Sequence, residues 1–81
     1  MAMDFKDKVR WERHGSLYYI SDNGREYKLL AHGLPYVMLI EETQVIAGME
    51  VILYTAEFFH RKDELLAFLS KNRLPVPEGI E

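Results

Sequence analysis

The chain has 81 residues, 48% of them hydrophobic and 28% charged, and its ten basic and thirteen acidic side chains give a net charge of −3. This length corresponds to a single domain over residues 1–81, and the composition is too apolar for a disordered chain. The negative charge argues against a general nucleic-acid binder. The absence of cysteine excludes disulfides and thiolate metal sites.

The first ten residues alternate Asp and Lys where a secretion signal would need an apolar segment. We therefore expect a frayed N-terminus over residues 1–8 and no signal peptide. No stretch approaches the ~20 apolar residues that a membrane-spanning helix needs. Together with the lack of cysteine, these features favour a cytoplasmic protein with no membrane partner.

Two N-terminal segments have the pattern of paired strands. From Val9 to His14 the side chains alternate with a period of two, which is typical of a half-exposed strand. After a short turn, residues 17–21 form the return strand. Asn23-Gly24 is the clearest local signal, because this pair is preferred where both central residues of a hairpin turn need positive φ. It predicts a hairpin whose second arm spans Arg25–Ala31.

The middle of the chain holds two apolar runs. Residues 32–35 interrupt the strand pattern, since proline lacks a backbone donor. Tyr36–Ile40 is continuously apolar, and a second run, Val45–Tyr54, contains Gly48. We predict a turn at Thr43-Gln44 between the runs and a bulge or bend at the glycine. The second run is then one bent strand or two strands.

A helix is predicted near the C-terminus, because Leu65, Leu66 and Leu69 recur at helical spacing. The helix can begin at either of two positions, near Lys62 or at Thr55, whose side chain would cap it. We favour the shorter helix, with the preceding strand running up to it.

The helix is expected to end before Pro75, and residues 75–81 are expected to form an extended, mobile tail. The whole pattern predicts an α+β fold. A mainly antiparallel, strongly twisted sheet of five or six strands is built from hairpins as a meander, or closes into a roll or barrel. The single C-terminal helix packs on it.

The predicted sheet has two apolar faces, and the single helix can bury only one of them. Continuous apolar runs are typical of strands covered on both faces, and one helix covers only one face. The other face needs the N-terminal hairpin folded across it, a second copy of the chain, or a different protein. An uncovered apolar face marks an interaction surface. Our leading hypothesis is a non-enzymatic protein-binding or regulatory module (an inhibitor or accessory subunit), homodimeric through its sheet. The candidate interface residues are Val37, Met38, Leu39, Ile40, Val51, Ile52, Leu53 and Tyr54.

A second hypothesis is single-stranded nucleic-acid binding, because aromatic and basic side chains are mixed in the N-terminal hairpin. Aromatic platforms flanked by cations can stack unpaired bases. The interspersed acidic side chains favour the alternative that the aromatic residues are core and the charges are solvated. The candidate nucleic-acid face comprises Arg10, Trp11, Arg13, Tyr19, Tyr27 and Lys28.

A histidine-based enzyme or metal site is the third hypothesis. His14, His32 and His60 are the side chains that titrate near neutral pH, but no metal-ligand spacing is present. Glu41-Glu42 are neighbours on a predicted strand and point apart, so they do not form an acid–base pair. We predict no catalytic residue, no cofactor and no metal.

Overall fold

The structure is a computed structural model that describes residues 10–80. The expected frayed segment 1–8, Val9 of the predicted first strand, and Glu81 lie outside these residues. The described chain forms five strands and one helix, in the order β1 (Glu12–His14), β2 (Leu17–Asp22), β3 (Arg25–Leu30), β4 (Tyr36–Ile46), β5 (Met49–Phe59) and α1 (Lys62–Lys71).

The strands form one antiparallel sheet in the order β1-β2-β3-β4-β5, so each strand pairs with the next along the chain. This meander with a C-terminal helix against β5 confirms the predicted α+β fold. The N-terminal hairpin belongs to the sheet and does not fold across it. Within the described residues β1 and β5 are the sheet's two edges.

The predicted hairpin at Asn23-Gly24 is confirmed. Both residues have positive φ, 56° and 80°, and they join β2 to β3 in a two-residue turn. Asn tolerates this left-handed conformation and Gly adopts it without steric cost, so the local sequence dictates the turn.

The shorter helix is also confirmed, since α1 begins at Lys62 and β5 continues to Phe59. The Glu64 carboxylate accepts hydrogen bonds from the backbone N–H groups of His60 (2.8 Å) and Arg61 (3.2 Å). These bonds satisfy donors at the helix start and place negative charge at its positive end. Within residues 10–80 no helix is long and apolar enough to cross a lipid bilayer.

The predicted turn at Thr43-Gln44 is wrong. Both residues lie inside β4, where Thr43 pairs with Ile52 of β5. The turn is at Ala47-Gly48, with φ of 53° and 79°, which repeats the geometry of the Asn23-Gly24 turn. The glycine supplies the positive φ of a hairpin turn, so the second apolar run is two strands with a tight corner, as one of the two alternatives predicted: its first two residues end β4 and Met49–Tyr54 begins β5.

The core lies on one face of the sheet, which we call the covered face. Leu65 and Leu69 of α1 are buried against it, and the rings of Phe59 and Phe68 lie 5.3 Å apart where β5 meets the helix. The sheet residues buried on the covered face are Tyr18, Ile20, Tyr27, Leu29, Met38 and Phe59.

The segment after the helix completes the cover. The sequence predicts an extended, mobile tail, but the chain packs back on the core, with Leu74, Pro77 and Ile80 all buried. These three apolar side chains recur every third residue and supply the burial that holds the segment in place. Proline also lowers the entropy lost when the segment becomes ordered.

Two hydrogen bonds fasten this segment to the sheet. The Trp11 indole N–H donates to the Pro75 carbonyl oxygen (2.6 Å), and the Tyr18 hydroxyl donates to the Glu78 carbonyl oxygen (3.0 Å). Both are contacts between residues far apart in sequence, which no local pattern could reveal.

Candidate functional site

The side of the sheet opposite the helix carries a continuous apolar surface, which we call the open face. Because successive strand residues point to opposite sides, residues adjacent to the core residues form this face, and register places them in rows across the strands. The first row, the apolar row, is Leu17, Leu30, Val37 and Phe58. Three of its four members are classed as exposed, and Val37 is half-buried.

Two further rows continue the open face. The lysine row is Tyr19, Lys28, Leu39 and Ala56. The glutamate row is Ser21, Glu26, Glu41 and Tyr54. Leu39 and Tyr54 are exposed, so the apolar surface continues from the apolar row along β5 to Ile52 and along β4 to Leu39, where Glu41 follows.

Beyond the glutamate row the sheet narrows to two strands. Pairing between β3 and β4 ends at Glu42, so residues 43–52 form a two-stranded arm that projects ~13 Å at about 3.3 Å per residue. The arm is exposed and apolar on both sides: Val45 and Ile52 lie on the open-face side, Ile46 and Met49 on the other. An isolated two-stranded hairpin is marginally stable, so burial of either side of the arm against another molecule would stabilise it.

Three charged side chains, Lys28, Glu26 and Glu41, stand at the centre of the open face, and two exposed carboxylates lie at its margins, Glu12 beside Tyr19 on β1 and Glu50 beside Val45 on the arm. Glu26 and Glu41 are directly opposite each other in the register, and Lys28 is two residues along β3 from Glu26. All three are half-buried. Within residues 10–80 none of the three has an ion-pair partner within 4.0 Å. Like charges directly opposite on neighbouring strands repel each other, so the two glutamates lack a cation.

A depression of about 390 Å³ opens beside the two glutamates, at the end of the β2–β3 hairpin. Its lining includes four open-face residues, Ser21, Glu26, Glu41 and Thr43. The depression is wide and open to solvent, and three of its eight lining residues, Asp22, Glu26 and Glu41, are acidic.

The boundary of the covered face is marked by Arg25. Its guanidinium donates to the Tyr27 hydroxyl (3.4 Å) and lies 3.5 Å from the Glu42 carboxylate. The hydrogen bond and charge of Tyr27, followed by the charge of Glu42, raise the pKa of Arg25. This side chain therefore stays cationic, and it separates the buried core from the arm.

The eight candidate interface residues divide equally between the two sides of the sheet. Met38 is fully buried in the core, and Ile40 is half-buried beside it. Val51 and Leu53 lie on the same side as these two, near or on the arm. The four on the open-face side are Val37, Leu39, Ile52 and Tyr54.

The six candidate nucleic-acid residues do not share a face. Tyr27 is buried in the core, and Trp11 holds the C-terminal segment. Arg13 stacks over the Tyr18 ring, 5.5 Å from its centre, on the covered face. Tyr19 and Lys28 lie on the open face, and Arg10 lines a shallow depression with Tyr19. A single stacking platform is therefore not formed by these six residues.

The histidines are separately placed. His14 lies 3.8 Å from the Glu12 carboxylate, His32 is 3.2 Å from the Ser16 hydroxyl, and the His60 backbone caps the helix. No three His, Asp or Glu side chains of residues 10–80 gather into a metal-binding group, and no charged or polar side chain there is buried.

Sequence reasoning did not assign Leu17, Leu30 and Phe58 to the open face, nor did it place Glu26 opposite Glu41. The signal was present in β3, where Leu29 and Leu30 are consecutive. On a strand, one of two adjacent leucines must point away from the core.

The chain matches no protein-family model, no curated protein and no solved structure.

Proposed function

We propose that this chain is a non-enzymatic protein-binding module, of the inhibitor or accessory-subunit kind, that docks a protein through its open face. The observation that carries the proposal is the apolar row and its continuation along β4 and β5. Antiparallel sheets with one solvated face normally alternate apolar and polar residues. In this sheet the strand residues that point to the covered face and those that point to the open face are both largely apolar.

The extent of this surface suits a specific interface. Seven large apolar side chains of the open face are between 37% and 72% exposed: Leu17, Leu30, Leu39, Val45, Ile52, Tyr54 and Phe58. With roughly 200 Å² for a whole large side chain, they present on the order of 750 Å². Stable interfaces bury about 800 Å² per partner, whereas the largest apolar patch on a typical monomer is about 300–600 Å².

The composition of the surface is also that of an interface. Aromatic side chains are enriched in interface centres and charges are depleted. Phe58 and Tyr54 stand on the open-face side of β5, and the half-buried charges of the face lie in the strip around Lys28, Glu26 and Glu41, with the exposed Glu12 and Glu50 at its margins.

A charge placed in the centre of the open face tests the proposal. In Leu39→Lys an ammonium group replaces an exposed leucine, so the fold is retained but any partner must desolvate the charge. Ala67→Lys, on the exposed side of α1, is the matched control. Protein bound by the native chain, whether another copy or a different protein, should be held at least tenfold less tightly by Leu39→Lys and equally well by Ala67→Lys.

Affinity capture from native cells and mass in solution are the two readouts, each compared across the three proteins. The proposal fails if the native chain, Leu39→Lys and Ala67→Lys have the same bound proteins and the same mass.

A further inference from the structure

We infer that the occupant of the open face is a second copy of this chain, packed face to face about a two-fold axis that crosses the strands between the lysine row and the glutamate row. This inference rests on the proposed function and adds the identity of the partner and its orientation. The positions of Glu26, Glu41 and Lys28 on the open face support both the partner and its orientation.

The open face holds an unbalanced charge pattern. The glutamate row presents two adjacent, half-buried carboxylates, and the lysine row beside it presents one unpaired cation. A partner that covers the apolar row also covers these charges, and burying unpaired charges is costly. The partner must therefore bring a cation to Glu26 and Glu41, and a carboxylate to Lys28. A second copy carries both.

Only one of the two simple face-to-face arrangements makes these pairs. In a symmetric dimer whose faces meet, the axis lies in the interface plane. An axis parallel to the strands sets each row over itself, so the glutamate rows of the two copies would face each other. An axis across the strands, between the two charged rows, sets the lysine row of one copy over the glutamate row of the other.

On β5 the second arrangement also pairs apolar side chains, whereas on β4 it sets Leu39 opposite Glu41 and Val37 opposite Thr43 of the second copy. On β5 it sets Phe58 opposite Ile52 of the second copy and Ala56 opposite Tyr54 of the second copy. The depression beside Glu26 and Glu41 receives the Lys28 side chain of the second copy. The two sheets then pack as an aligned sandwich about 10 Å apart, and each arm is covered on its open-face side.

Charge reversal tests whether the partner is a second copy, and Lys28→Gln tests the orientation, because removing this lysine weakens the native dimer only where it faces a glutamate. Lys28→Glu makes all three side chains of the central charged strip carboxylates, and Glu26→Lys/Glu41→Lys makes all three cations. Each should repel its own copy, so each variant alone should sediment near the chain mass of 9.5 kDa at concentrations where the native chain has twice that mass. Mixed one to one, the variants should form a dimer containing one copy of each, at least tenfold tighter than either variant with itself.

The mixed dimer is identified by native mass spectrometry with one variant labelled with ¹⁵N, and folding of each variant is checked by circular dichroism. If Lys28→Glu does not fold, Lys28→Gln removes the charge at similar length and should weaken the native dimer about tenfold. Salt should weaken the mixed dimer more than the native one, because its attraction depends more on charge.

Each alternative outcome overturns the inference in a distinct way. A native dimer whose charge variants show no preference for mixing means pairing through another surface, such as the open edge of β5. If the native chain is a monomer at 100 µM, a second copy is not the occupant of the open face. If Leu39→Lys then no longer binds a different protein that the native chain binds, the proposed function still holds. A native monomer that binds single-stranded oligonucleotides at low salt, and loses them in Lys28→Glu, would assign the face to nucleic acid.

Discussion

Leu29 and Leu30 are consecutive residues of β3, yet the first is fully buried and the second is 47% exposed. The first points to the covered face, beneath α1 and the segment that follows it. The second points to the open face, where no part of the described chain reaches. The same residue type therefore has a core role on one side of the strand and no partner on the other.

This difference separates what stabilises the folded monomer from what the monomer offers to other molecules. Burial on the covered face supplies the apolar contribution to folding, at about 25 cal/mol per Å² removed from water. The apolar side chains of the open face contribute much less of this while they stay wet. They are costly for solubility, and the proposed binding role would account for their presence.

The largest expected effect comes from truncating the two leucines in turn. Leu29→Ala should destabilise the monomer by about 2–5 kcal/mol, because it leaves a cavity in the core. Leu30→Ala should cost less than about 1 kcal/mol at protein concentrations low enough to keep the chain monomeric, since half of that side chain is already in water. Urea unfolding followed by tryptophan fluorescence measures both. Equal losses would show that the two faces are alike in the folded monomer.

A smaller effect is expected from the tyrosines of the two faces. Tyr18→Phe removes the hydroxyl that donates to Glu78 and should cost about 0.5–1.5 kcal/mol. Hydrogen exchange at the Ile80 amide, which donates to Pro77, should become faster in this variant. Tyr54→Phe is the matched control: its ring is 72% exposed, and removing its hydroxyl should change neither quantity in the monomer. Unchanged exchange in Tyr18→Phe would mean that the segment is held by apolar packing alone.

The smallest effect concerns the arm, where both sides are exposed. Ala47 has φ of 53°, a conformation that asparagine tolerates better than alanine. Ala47→Asn should therefore stabilise the chain by about 0.5–1 kcal/mol, and Asn23→Ala at the other hairpin should destabilise it by a similar amount. Thermal unfolding of the two variants measures the opposite shifts. A loss of stability in Ala47→Asn would show that the turn is set by the strands and not by its own residues.

Local chemistry explains which parts of the fold were predictable. The turn at Asn23-Gly24 and the helix starting at Lys62 follow from residues that are adjacent or one turn apart. The turn at Ala47-Gly48 was predicted only as one of two alternatives because alanine is not a turn signal, while the polar stretch before it resembled one. The packing of residues 75–80 depends on Trp11 and Tyr18, more than fifty residues away, and local rules do not reach that far.

The candidate site was predicted in outline only. The sequence showed two apolar faces and cover for one, but it could not decide between Met38 and Leu39 as the exposed residue, since register alone fixes which of two neighbours faces the core. The charge pattern of Lys28, Glu26 and Glu41 could not be seen either, because these residues meet only when β3 and β4 pair.

The helix and residues 74–80, which cover one face of the sheet, are synthesised after all five strands. The strands pair with their immediate neighbours, so the sheet can form hairpin by hairpin on a microsecond scale as it leaves the ribosome. At about 5–20 residues per second, the 21 residues that follow the end of β5 at Phe59, up to Ile80, take about 1–4 s to make. For that time the nascent sheet exposes two apolar faces, either of which a chaperone or a finished copy could bind. Only the arrival of the last described residues makes the two faces different.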